Sequence, residues 1–369
     1  MKKFFGIFAV LLLSLIVMWL VIVTLQKQSE VSIEANVSNL DETSQGEQGR
    51  QQTSDLIDSS QGPVIYLSFA SHNEDEFHPD YPNFIQDEDA FWESRSNLIA
   101  YAQMLVSHGV QYDFQTDWNF LLAVQAYDQG DESTNGKNVI RYLHEDLGVD
   151  IDPHSHENGG YNFVDVAYLI SELGVEPTGV VGGFIAGPPE SSQLDYFWSL
   201  RTGLMYPSAT WTPEILWGGG TGQHQNESDY WISGVWYPKS ATEFDVHDPT
   251  APLPNVGNNS GTWDAFFDLL EALQDGELDP EGFYTATIMI NQSEMDEANR
   301  QLYESYLLEV ASAVAQGDVI YSTITNTFIA WETTQDGEPT IHHTSSSADT
   351  LEEPPFKKPL KRPLPKVEL

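Results

Sequence analysis

Three short stretches of the chain collect the side chains that do acid–base and metal chemistry. They are Ser71-His72-Asn73-Glu74-Asp75-Glu76, Gln115-Thr116-Asp117-Trp118 and Asp152-Pro153-His154-Ser155-His156-Glu157. His154 and His156 are two residues apart, which on a strand turns both to one face. The chain contains no cysteine, so a transition-metal ion must be held by imidazole and carboxylate, a donor set that suits zinc. The expected ligands of a divalent metal, zinc in the first instance, are His72, Glu74, His154 and His156. An ion held by about three protein ligands keeps a position for water and makes it a nucleophile near neutral pH. A carboxylate left over, Asp75 or Asp117, would then serve as general base. The competing arrangement needs no metal: paired carboxylates such as Glu74 and Glu157 can act as acid and base on a glycosidic bond.

Each stretch ends a run that reads as a strand: Val64–Ala70, Tyr112–Thr116 and Val149–Asp152. Between them lie helical patterns. Asp89–Ser107 carries Phe91, Leu98, Ala102 and Leu105 at helical spacing and stops at Gly109. Lys137–Leu147 stops at Gly148, and Tyr161–Leu173 at Gly174 before a strand over Gly179–Phe184. The rhythm resumes with Thr262–Leu273, Tyr284–Ile290, Glu294–Ala315, Gly317 and Val319–Thr325. Helix, glycine, then strand is the pattern of parallel βα units. The expected fold is α/β, a (β/α) barrel of about seven or eight strands over residues 63–335. In such a barrel the strand ends that carry these residues share one rim.

Residues 186–260 break the rhythm and read as long loops with a strand over Tyr230–Tyr237. The glycine run Gly218-Gly219-Gly220-Thr221-Gly222-Gln223-His224 lacks the Lys-Ser/Thr of a phosphate loop. It suits a segment that closes over a ligand. Trp118, His224, Trp236 and His247 are the expected substrate-binding residues. Aromatic faces in loops suit carbohydrate rings, which are apolar on the face and hydroxylated at the edge.

Fifteen Lys and Arg stand against 56 Asp and Glu, a formal charge of −41. A surface of this sign repels polyanionic substrates and lacks the basic footprint of a nucleic-acid binder. With 40% hydrophobic residues, including 10 Trp, 16 Tyr and 18 Phe, there is material for a core. An uncharged run, Phe4–Leu25, follows Lys2 and Lys3 and is long enough to span a bilayer. The lysines would stay cytoplasmic, so the remainder would lie outside. Cleavage of the run as a signal peptide would instead release a secreted protein. The expected organisation is a membrane anchor over 1–27, a flexible polar stalk over 28–62, the barrel over 63–335 and an extended Pro/Lys-rich tail over 336–369.

Taken together, these features resemble the glycoside hydrolase/deacetylase (β/α)-barrel superfamily, and within it the polysaccharide deacetylases. The resemblance covers about 63–185, with a weaker match over 284–331. It rests on the acidic cluster Glu74-Asp75 after Ser68-Phe69, on His108-Gly109-Val110 before the second strand, and on His154-Ser155-His156 after the third. It implies an acidic residue and two histidines on a divalent metal, a second acid as base, and release of acetate from a sugar amine or hydroxyl. Here Ala70-Ser71 stands where the family has its adjacent acids, and Asn158 where it has its second histidine. The expected function is an extracytoplasmic, metal-dependent carbohydrate esterase or amidase. The alternatives are the metal-free glycoside hydrolase and a non-catalytic barrel that binds glycan.

Overall fold

Strands in this chain are short runs of apolar and β-branched residues whose alternate side chains face opposite ways, and the helices between them are started by side-chain caps. The structure, a computed structural model, describes residues 63–73, 83–155, 157, 159–182, 192–218, 232–240 and 243–344. All belong to one compact unit, Gln61–Leu369. The first half runs β1 (Val64–His72), α1 (Glu88–Ser107), β2 (Tyr112–Thr116), α2 (Trp118–Tyr127), α3 (Val139–Leu147), β3 (Asp150–Pro153), α4 (Phe163–Glu172), β4 (Val180–Val181) and α5 (Ser192–Ser199). Then follow β5 (Ile215–Trp217), β6 (Ile232–Ser233), β7 (Val235–Trp236), β8 (Pro238–Ser240), β9 (Glu243–His247) and β10 (Asn255–Val256). The remainder is α6 (Trp263–Gln274), β11 (Phe283–Asn291), α7 (Glu297–Gln316), β12 (Val319–Tyr321), α8 (Ile324–Gln335) and β13 (His342–His343).

β1 pairs in parallel with β11 along its whole length, from Val64↔Phe283 to His72↔Asn291. Its other edge is shared: β12 takes the N-terminal half and β2 the C-terminal half. β2 pairs with β3, and a parallel bridge, His154↔Gly182, leads on to β4. β4, β5 and β10 are parallel neighbours. Just past β10, the Asn258 carbonyl accepts from Thr287 N at 3.0 Å, which returns the run to β11. The parallel strands thus close a ring. Ile65, Leu67, Phe69, Phe114, Ile151 and Ile288 face outward into the layer shared with the helices. Tyr66, Ala70, Val180, Ile215, Trp217 and Val256 face inward, and Ile324 and Trp331 of α8 complete that inner cluster.

The structure departs from the sequence reading at several elements. α2 was not expected, because Trp118–Tyr127 is apolar almost throughout and shows no helical stripe. Val319–Thr325 was read as one strand. It ends at Tyr321, and α8 begins at Ile324 behind the cap residue Thr323, whose hydroxyl accepts from Asn326 N. α5 lies within the stretch read as loops. In the expected strand Tyr230–Tyr237, the described part is broken at Gly234, φ 113°, into β6 and β7. A side chain on Gly234 would collide with the Thr340 carbonyl. Beyond α8 the chain turns back: Trp331 Nε1 donates to the Glu338 carbonyl at 2.9 Å, and β13 pairs with β6. The fold therefore runs to at least residue 344, past the boundary expected at 335. The apolar run Phe4–Leu25 lies outside the described residues. Among the described residues, no helix is long and apolar enough to cross a membrane.

Candidate functional site

Parallel register sets the site. His72 lies opposite Gln115, and Gln115 opposite Asp152; one row below, Ala70 lies opposite Asp113, and Asp113 opposite Asp150. Residues two apart on a strand share a face, so His72, Gln115, Asp113, Asp150 and Asp152 turn to the same side of the sheet as inward-facing Ala70. His72, Gln115, Asp113, Asp152 and His154 are all buried. They are linked: His72 Nε2 to Gln115 Oε1 at 2.5 Å, Gln115 Nε2 to Asp152 Oδ2 at 3.2 Å, and Thr178 Oγ1 to Asp152 Oδ1 at 2.6 Å.

The links fix the tautomers. The Gln115 carbonyl oxygen only accepts, so His72 Nε2 carries the hydrogen and donates it. The Gly182 carbonyl likewise accepts from His154 Nδ1 at 2.5 Å. In the neutral rings, His72 Nδ1 and His154 Nε2 are therefore the basic nitrogens. The two rings stack, with centroids 4.2 Å apart and planes inclined by 24°. Trp217 meets His72 edge to face at 5.8 Å and donates from Nε1 to Thr287 Oγ1 at 3.0 Å.

Burial controls the acids. It pushes the Asp152 carboxyl up to about 7; Asp150 adds to the rise, and hydrogen bonds from Thr178 and Gln115 oppose it. Burial holds Asp113 well above the ordinary carboxylate range, reinforced by Asp152 and Asp150 and opposed by the Ile324 N–H, which donates to it at 3.1 Å. Asp150 is raised by burial as well.

These contacts test the expected metal site. A ligating imidazole points a lone pair, in its ring plane, at an ion ~2.0–2.1 Å away. Ring planes that are nearly parallel at the His72–His154 separation do not meet within that reach. The two histidines therefore cannot hold one ion as they stand. Glu74 and His156, the other expected ligands, lie outside the described residues, as do Asp75 and His224. Among the described residues, no group of three or more His, Asp or Glu is placed to hold a metal ion. The described residues thus do not fit the ion.

Other expected site residues have structural partners. Asp117 caps α2, its Oδ1 accepting from Asn119 N at 3.0 Å, while its own N–H donates to Asn73 Oδ1 at 2.6 Å. Trp118 stacks on Tyr161 at 4.8 Å and packs over Gly159. Trp236 is fully buried against Phe244, with Nε1 donating to the Phe244 carbonyl at 2.6 Å, and has no face left for a sugar. His247 Nδ1 accepts from Tyr237 N at 3.2 Å in the β8–β9 ribbon. Glu157 accepts a hydrogen bond from the Tyr196 hydroxyl. Sequence reasoning gave no site role to Asp113, Gln115, Asp152 or Trp217, although Gln115 and Asp152 stand in two of the stretches it singled out. The signal for Asp113, Gln115 and Asp152 was present as polar residues two apart inside strands.

Ring and site together define an α/β protein with a buried histidine–amide–carboxylate array at the C-terminal ends of parallel strands. No family model and no curated protein matches the sequence. The chain is similar to several solved structures. One is Puue allantoinase, with a TM-score of 0.44 and 12% identity over 73% of this chain and 91% of that one. Another is a protein of Parabacteroides distasonis designated a glycoside hydrolase/deacetylase, with a TM-score of 0.43 and 12% identity over 74% of this chain and 71% of that one. A third, from Pseudomonas aeruginosa PAO1, is designated a polysaccharide deacetylase, with a TM-score of 0.40 and 12% identity over 73% of this chain and 91% of that one. Likeness at this level leaves the chemistry to the chain's own residues.

Proposed function

We propose that the domain is a hydrolase of acylated saccharides, a deacetylase-like carbohydrate esterase or amidase. The observation that carries this reading is the His72–Gln115–Asp152 chain beside His154, buried at strand ends. A fixed, buried imidazole can serve as general base in acyl transfer. His154, oriented by the Gly182 carbonyl, takes a proton at Nε2 from the attacking water. The water oxygen bonds to the acyl carbon. The C–N or C–O bond then breaks, and the imidazolium returns its proton to the departing amine or hydroxyl. His72, held by Gln115, positions the His154 ring by stacking. We also propose that Phe4–Leu25 anchors the chain with the domain outside the cytoplasm, a reading supported by Lys2 and Lys3 before the run.

Acetate release from an acetylated chromogenic ester and from N-acetylglucosamine oligomers tests the reaction. Wild-type protein is expected to turn over, and His154→Ala to lose ~10²-fold or more of the rate. No acetate from either substrate, or full activity in His154→Ala, overturns the reading. Recovery of the full-length chain in the soluble fraction overturns the anchor.

A further inference from the structure

A strained turn follows β10. Asn259, Ser260 and Gly261 stand in succession at φ 47°, 73° and 74°, the left-handed region that disfavours residues with a side chain. The turn is tied down: Asn259 Nδ2 donates to the Ala265 carbonyl at 3.0 Å, and its Oδ1 accepts from the Thr344 hydroxyl at 2.7 Å. Asn258, just before the turn, is held by its backbone, its carbonyl accepting from Thr287 N at 3.0 Å and from Gly261 N at 3.1 Å. Its side chain is buried, yet Oδ1 meets no donor among the described residues. Nδ2 faces the backbone of Gly218 and Gly261: a methyl on the first would lie 4.0 Å from it, and on the second 3.8 Å. Leaving a buried amide oxygen unpaired costs stability, and a native fold that does so calls for a reason outside packing.

Register puts this amide on the rim of the site. β4 and β5 pair Val181↔Leu216, so Gly182 falls opposite Trp217. Gly182 bridges His154 on one side, and Trp217 pairs with Val256 on the other. His154, Gly182, Trp217 and Val256 thus form one row, in which Val256 faces inward. Asn258, two residues further towards the C-terminal end, lies one layer above Val256 on the same face. His154 and Asn258 are three strand spacings apart, ~14 Å around the ring, and their side chains shorten the gap. That gap is too wide for one water to bridge. It suits a line of base, water, acyl carbonyl and hydrogen-bond donor, which spans roughly 8–10 Å.

We infer that Asn258 is a further catalytic residue of this site, its Nδ2 donating to the acyl oxygen while His154 activates the water. This rests on the reading that the domain hydrolyses acyl groups. As the water oxygen bonds to the acyl carbon, the carbonyl π pair moves onto the acyl oxygen, and the amide N–H meets the charge formed there. The pair returns when the C–N or C–O bond breaks. A donor fixed in advance stabilises the transition state more than the substrate, and the tethered turn does the fixing. Turnover of the chromogenic ester is measured in the full chain, in Asn258→Leu and in Asn258→Asp, whose ionised carboxylate has a similar shape and no donor. In both variants kcat and kcat/KM are expected to fall together by ~10²-fold. Asn258→Leu should melt at or above wild type, because it breaks no side-chain hydrogen bond, a result that a purely structural asparagine would not give. The methylphosphonate ester of the same alcohol, an anion with the shape of the tetrahedral intermediate, is titrated by calorimetry and should bind both variants more weakly.

Unchanged kcat in both variants, a loss of kcat in Asn258→Leu that a fall in its melting temperature accompanies, or a wild-type protein that does not bind the methylphosphonate overturns the assignment. Should Asn258→Leu not fold, Asn258→Asp decides alone. Methylphosphonate binding that needs Asn258, without turnover of any acetylated substrate, keeps Asn258 as the acyl-oxygen donor and overturns the hydrolase. Acetate release that survives in both variants does the reverse.

Discussion

The two sides of the strand ring are built differently. On one side β1, β2, β3 and β11 pair in long, continuous register, and their inward residues include His72, Asp113, Gln115 and Asp152. On the other side β4, β5 and β10 are two or three residues long, and their inward residues are Val180, Ile215, Trp217 and Val256. Polar groups inside a fold need fixed partners. Long ladders supply them, since each residue is held at a defined position against its neighbour. The short strands carry only groups whose packing tolerates looser definition. The His72–Gln115–Asp152 chain therefore sits on the longer ladders, with His154 at the bridge to Gly182 just beyond them.

The largest expected effect comes from Trp217, which belongs to the apolar side yet touches both His72 and Thr287. Trp217→Ala should cost about 3–5 kcal/mol by chemical denaturation, and a loss no greater than that of Val256→Ala would erase the contrast between the sides. Next is Gln115→Leu, which leaves His72 Nε2 and Asp152 Oδ2 without their link. It should cost roughly 2–3 kcal/mol and alter the pH dependence of stability, whereas Ile215→Ala should cost a similar amount and leave that dependence alone.

The buried acids give a third test. Their folded pKa values lie above the unfolded ~3.9, so the fold prefers their protonated forms. The stability they contribute is fully present below that value and is lost as pH rises through the folded values, about 7 for Asp152. Asp113→Asn cannot ionise. It should match wild type near pH 4 and exceed it in stability at pH 8, because burial raises the Asp113 carboxyl well above the ordinary range, as read from melting curves at the two pH values. The smallest effect is a null. Because His72 and His154 stack rather than converge, chelator should leave the melting temperature unchanged; a fall abolished by His154→Ala would show that the rings separate to admit an ion.

Much of the scaffold was legible locally. Tyr112–Thr116 was bounded correctly because its apolar and polar residues alternate between a helix-ending glycine and Asp117. Lys137–Leu147 was placed because Gly148, at φ 69°, stops it. Ile324–Gln335 was not, because its β-branched start mimics a strand, and the Thr323 cap and burial of Ile324 and Trp331 outweigh that propensity. In the site, sequence located His72 and His154 at strand ends; that their rings stack is seen only in the structure.

What the sequence by itself determined was the set of parallel βα units, the absence of thiolate ligands, the acidic charge and the delivery of histidines and acids to one rim. These follow from local pattern and composition, which each segment carries alone. Tertiary structure decided which nitrogen of each histidine is basic, that the two rings stack, that Asp117 is a cap and Trp236 core, and that Asp113 and Asp152 resist ionisation. The tautomers, the ring stacking and the raised acids depend on partners far along the chain, such as Gln115 for His72, Gly182 for His154 or Ile324 for Asp113. Hydrogen bonding and desolvation act through space, so they exist only once register and closure have brought those partners together.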